Sequence, residues 1–134
     1  MYKILAALLV ISLHAQSQEA RDWGAIMRIV NVKEYAGKKF RLEAAVKVDL
    51  MDSTASAEIW ARVDKQDKKI GFFNNMMDKP IRSREWKVYN VSGKIDKDAE
   101  NLVFGGLYNR RGIFYFGDFH LFVEKEKIKF EEII

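Results

Sequence analysis

The sequence has no cysteine in 134 residues, one proline and two histidines. The first absence excludes a disulfide scaffold, a thiolate nucleophile and every zinc site that uses cysteine. The shortage of histidine leaves little for general acid–base work. His14 lies in a leader-like segment, so a mature chain would hold His120 alone. No G-x-S-x-G elbow accompanies it, and a Ser-His-Asp triad is not expected. There is no internal repeat, no low-complexity stretch and no apolar run long enough to span a bilayer as a helix. What is present, 49% hydrophobic and 31% charged residues, is the composition of a single globular domain built on apolar packing. The formal net charge of +4 is mild, and acidic residues lie among the basic ones. Nucleic acid is therefore not an expected partner, although Arg82, Arg84, Arg110 and Arg111 could rim a sheet.

Residues 1–17 read as an export leader. Lys3 gives a positive start, Ile4 to Leu13 (ILAALLVISL) is the length of a signal-peptide apolar region, and Ala15 and Ser17 supply the small-residue spacing for a cut before Gln18. A cut after Ala15 is the alternative. The same run could instead form a buried N-terminal helix or strand. No cysteine follows to carry a lipid anchor, and a cysteine-free secreted chain fits a bacterial envelope: periplasmic, cell-surface or secreted. No transmembrane segment is expected in the mature chain.

From residue 18 the pattern is that of strands. The even positions Phe40, Leu42, Ala44, Val46, Val48 and Leu50 are apolar, while Arg41, Glu43, Lys47 and Asp49 hold odd positions. This period of two makes a long strand with one face in a core and one toward water. Ser56 to Asp64 repeats it, with Ala57, Ile59, Ala61 and Val63 on one side and Glu58, Trp60 and Arg62 on the other. Asp64 to Lys69 is a solvated hairpin connection, Ile70 to Phe73 a short strand, and Asn74 to Arg84, which contains the only proline, a loop. Trp86 to Ile95 and Asn101 to Tyr108 are further strands separated by an acidic turn, and Asn109 to Gly112 (NRRG) is a hairpin signal. In the last long strand, Phe119, Leu121 and Val123 face one way and Asp118, His120, Phe122 and Glu124 the other. Ile26 to Val32 reads as a strand without clean alternation, and a helix stays open there. Seven or eight short-spaced strands with no long helix predict an all-β, antiparallel two-sheet sandwich over residues 18–124, with a tail or linker start at 125–134.

Taken together, the Gly37-Lys38 entry into FRLEAAVKV, the AEIWARVD strand, GFFNNMMDKPI, the EWKVYNVSGKIDKDAENLVFGGLY stretch and GIFYFGDFHLFVE resemble the galactose-binding-like jelly roll. More narrowly, they resemble accessory domains of exported Bacteroidetes-type hydrolases. The resemblance implies a jelly-roll fold, a non-catalytic role, and a peptidase or esterase partner domain that this chain does not contain. It also implies a structural calcium ion, for which Asp118 is the candidate ligand. No other cofactor is expected; no D-x-D-x-D-G loop is present, and Asp118 as a hydrogen-bonding residue at a strand bend is the favoured alternative.

The binding candidate from the residues themselves is an aromatic platform. Sugar rings pack their C–H faces on indole or phenol and need amide, carboxylate or guanidinium groups for their hydroxyls. Trp60 between Glu58 and Arg62 on a polar strand face fits that need, and Asn75, Asp78, Arg82, Tyr108, Asn109 and Arg110 could converge on it. The alternative covers Trp60 with the Asn74 to Arg84 loop, with Arg62 stacked or paired there. Trp23, Trp86, Phe104, Phe114 and Phe116 read as packing residues. The expected function is a carbohydrate-binding or similar extracytoplasmic binding module, or else an interaction domain packing on a hydrolase.

Overall fold

A computed structural model of the protein describes residues 9–13, 23–50 and 52–129. Nine strands follow in chain order: β1 (Leu9–Leu13), β2 (Trp23–Asn31), β3 (Lys39–Leu50), β4 (Ser56–Lys65), β5 (Ile70–Asn74), β6 (Lys87–Lys94), β7 (Ala99–Asn109), β8 (Gly112–Val123) and β9 (Glu126–Ile128). The sole helical element among the described residues is a 3-10 turn, Lys33–Tyr35. Every strand pairing is antiparallel. One sheet, here the front sheet, has the order β1-β8-β3-β6, with β9 also on β8; the back sheet has the order β2-β7-β4-β5. The expected two-sheet sandwich is what forms, and the segment with unclear alternation is the strand β2.

Alternation decides what lies between the sheets. Phe40, Leu42, Ala44, Val46 and Val48 of β3 are buried and face Ala57, Ile59, Ala61 and Val63 of β4 across one core. Phe114, Phe116, Phe104 and Leu121 fill its middle. Gly106 makes this possible, because a side chain there would overlap the Phe116 ring from the opposite sheet. Phe72 of β5 seals one end, meeting Phe40 edge-on at 5.2 Å.

In β8 the alternation carries an irregularity. Glu43 pairs with His120 but Ala45 with Gly117, so two residues of β8, Asp118 and Phe119, face one of β3. The bulge lets Asp118 take φ 52 and resets the alternation. Phe114 and Phe116 on one side of it and Phe119, Leu121 and Val123 on the other all point inward. Tyr115 and His120, five positions apart, therefore share the outer face.

Two parts of the chain outside the expected domain bounds are strands of the front sheet; for the first, a strand was the alternative to a leader. Leu9–Leu13, inside the expected leader, pair with Gly112–Phe116 of β8. Glu126–Ile128, inside the expected tail, pair with Leu121–Val123, and Ile128 is buried. The expected cleavage site before Gln18 and residues 130–134 lie outside the described residues.

Asp118 has left-handed backbone geometry and a buried side-chain oxygen, Oδ2, without a hydrogen-bond partner among the described residues. A left-handed non-glycine residue costs about 1–2 kcal/mol, and glycine gives back about 0.5–1 kcal/mol of that in chain entropy. Asp118→Gly is therefore expected to be neutral or stabilising, by up to about 1 kcal/mol in urea unfolding. A loss of more than about 1 kcal/mol would show that the carboxylate holds something the protein needs.

Candidate functional site

Trp60 does point to the outer side of the back sheet, yet it is only 7% exposed. It lies opposite Gly105, where the missing side chain leaves room for an indole, and its Nε1–H donates to the Gly106 carbonyl at 3.2 Å. The Arg62 guanidinium sits 5.9 Å from the ring and is already held by Asp64, through bonds of 2.7 and 3.0 Å. Glu58 is buried as well. It accepts from Ser56 Oγ at 2.9 Å and from Asn109 Nδ2 at 3.1 Å. These residues form a satisfied cluster under the surface, with no ring face open to a sugar.

The remaining sequence candidates are spread out. Tyr108 turns inward and stacks on Phe114 at 5.1 Å, against the core. Asn75 caps its own loop by accepting from the Met77 N–H at 3.2 Å. Asp78 and Arg82 are exposed, and Arg82 is near enough for its charge to act on Glu58. Arg110 is exposed in the β7–β8 turn with φ 69. Asp118 has no companions: no group of three or more His, Asp or Glu side chains is placed to hold a metal among the described residues. Among the described residues the side-chain carboxylates alone therefore do not assemble a set of three around Asp118 for the calcium ion that the resemblance implies.

The front sheet is different. Its outward residues fall in rows across β6, β3 and β8: Ser92, Arg41 and Phe122; Asn90, Glu43 and His120; Val88, Ala45 and Gly117; then Lys47 and Tyr115, with Trp86 at the head of β6. Trp86 and Tyr115 meet at 6.1 Å with their planes at 65°, and Lys47 Nζ stands 5.7 Å from the first ring and 4.8 Å from the second. Both rings remain partly exposed. At the other end the Arg41 guanidinium lies 4.4 Å over Phe122 and pairs with Glu43. Between them Ala45, fully buried on this outer side, makes the floor. Cation–π contacts at this range hold Lys47 and Arg41 in place against the rings. The face thus offers two aromatic surfaces beside an amide, a carboxylate, an imidazole and two fixed cations. Sequence reading placed Trp86 inside the strand Trp86 to Ile95 but assigned it to packing; it stands one residue before β6, on the same outward parity as Val88, Asn90 and Ser92. The parity of Arg41, Glu43 and Lys47 was the signal that could have found this face.

The back sheet's outer face has the opposite character. Met27 and Ile29 of β2 are 62% and 61% exposed, and Phe73 of β5 is 54% exposed. A depression of about 310 Å³ beside it is lined by Arg62, Asp64, Lys68 and Glu100, whose charges are matched within the set.

No protein-family model matches the sequence, and no curated protein matches it. Solved structures do. The C-terminal family 22 carbohydrate-binding module of Clostridium thermocellum Xyn10B is 12% identical, with a TM-score of 0.59 over 93% of this chain and 86% of that one. The xylan-binding CBM22-1 domain of Paenibacillus barcinonensis Xyn10C is 8% identical, with a TM-score of 0.55 over 92% and 86%. A family 4 carbohydrate-binding module is 12% identical, with a TM-score of 0.58 over 90% and 74%. At these identities the likeness is one of fold: the chain is a jelly-roll β-sandwich of the kind found in carbohydrate-binding modules.

Burial lifts the Glu58 carboxyl above its ordinary value, against the lowering effects of the Ser56 and Asn109 hydrogen bonds and of the Arg82 charge. A carboxyl raised by folding favours the folded state while it is protonated, and that advantage is lost as pH rises through the folded value. Glu58→Gln keeps the acceptor for Asn109 and removes the buried charge. It is expected to exceed the native protein in stability at neutral pH, with the gap closing below the unfolded carboxylate value of about 4.3. Urea melts across that range check it; a less stable variant at neutral pH would mean that the charged form is required.

Proposed function

We propose that the protein is a non-catalytic carbohydrate-binding module whose binding surface is the outer face of the front sheet. The observation that carries this is the pair Trp86 and Tyr115, partly exposed on the same face as Glu43, Asn90 and His120. The faces of these two aromatic rings supply the apolar contact a pyranose needs, and the adjoining polar rows supply directional partners for its hydroxyls. The jelly-roll neighbours that bind xylan support the same reading. Catalysis finds no support among the described residues, where His120 is the sole histidine and meets Phe122 at 6.3 Å. The leader-like residues 1–17 support export to the periplasm, cell surface or medium, where such polymers are found.

A second reading concerns the other side of the molecule. Met27, Ile29 and Phe73 give the back sheet an exposed apolar face, which supports an accessory role packed on a hydrolase domain of an exported Bacteroidetes-type protein. The two readings use opposite faces and are compatible.

Trp86→Ala and Tyr115→Ala are each expected to weaken binding to soluble xylan or β-glucan by tenfold or more, about 1.4 kcal/mol. Trp60→Phe should leave that affinity unchanged while lowering stability. Affinity electrophoresis with circular-dichroism melts separates these effects. Retained binding in Trp86→Ala together with loss in Trp60→Phe would move the site to the back sheet.

A further inference from the structure

The cationic end of the front face has a shape and a charge that a neutral glycan does not use. A depression of about 550 Å³ is lined by Lys39, Arg41, Ser92, Lys94 and Glu124, with Phe40 and Gly93 behind them. In the β3–β6 register Lys39 stands directly opposite Lys94, and Arg41 directly opposite Ser92, so these four outward side chains form one patch. Lys127 of β9 extends it, opposite Phe122. Like charges facing each other across two strands destabilise a sheet. Neither lysine ammonium has an ion-pair partner among the described residues. The acid that lines the depression, Glu124, accepts from the Lys39 backbone N–H at 3.4 Å, and Arg41 is paired with Glu43. Four cations against those two acids leave the patch positive. It is continuous with the aromatic end, because Arg41, Glu43 and Lys47 follow one another on the outer side of β3.

We infer that this depression is a subsite for a carboxylate-bearing sugar, a uronate, on the glycan whose neutral rings lie on Trp86 and Tyr115. The inference rests on the platform reading above and extends it to a ligand class. A uronate carboxylate between Lys39 and Lys94 relieves the facing charges. The Arg41 guanidinium, already fixed by Phe122 and Glu43, and the Ser92 hydroxyl are available for its neighbouring oxygens.

The test compares xylohexaose with the same oligosaccharide carrying one glucuronate branch, by calorimetry at low and high salt, on the full chain. The native protein is expected to prefer the acidic chain by about tenfold at low salt, equivalent to about 1.4 kcal/mol, with the preference shrinking as salt screens it. The double variant Lys39→Gln, Lys94→Gln is expected to bind both chains equally, at the native affinity for the neutral one. Its melting temperature at low salt should equal or exceed the native value, because the facing charges are gone, and this shows that it folds. Equal affinity of the native protein for the two chains, or a preference that survives in the double variant, overturns the subsite and leaves the platform standing. Failure of the native protein to bind either chain overturns the platform and the subsite with it.

Discussion

One extra residue in β8 is what the rest of the molecule depends on. Side chains alternate strictly along a strand, so Phe116 and Phe119 cannot both face the core, nor Tyr115 and His120 both face outward, without a slip between them. The bulge at Asp118 is that slip. It keeps five aromatic and aliphatic residues of β8 in the interior on both sides of the irregularity, and it makes the outer surface of the front sheet continuous from Tyr115 to Phe122. Left-handed geometry at Asp118 and a carboxylate oxygen without a partner among the described residues are the cost of that continuity.

The sandwich was legible because its signal is periodic. In β3 and β4 the alternation of apolar and polar residues names the buried face residue by residue, and the core follows it. The bulge was less legible, since alternation breaks at a Gly117-Asp118 pair that resembles a turn inside a strand. Trp60 shows a different limit. Parity correctly turned it outward, but exposure depends on what stands opposite, and that is a matter of register between β4 and β7, which pattern alone does not fix. The Gly105-Gly106 pair was the clue: glycine across from an indole lets the ring lie on the sheet. Trp86 was missed for the converse reason: it shares the parity of Val88, Asn90 and Ser92, but a large aromatic reads as packing, and the pairing of β6 with β3 is what shows that this side faces out.

The two outer faces divide the chemistry of the domain. The front carries rings, amide, imidazole and ions fixed by contact with the rings. The back carries exposed apolar side chains, Met27, Ile29, Phe73 and Trp23 among them, and a second indole, Trp60, that is already covered. Because each face is built from the residues that the shared core rejects, a substitution on one changes recognition without repacking the interior, so the two surfaces can be varied independently.

The back sheet ends on β2, nine residues without proline or lysine and with its outer edge unpaired by any described strand. Natural sheets commonly guard such margins with charge, kinks or a covering segment. Here a further extended backbone could add in register with no change to the domain itself. Self-association at high concentration would therefore begin at that margin before any other change in the domain.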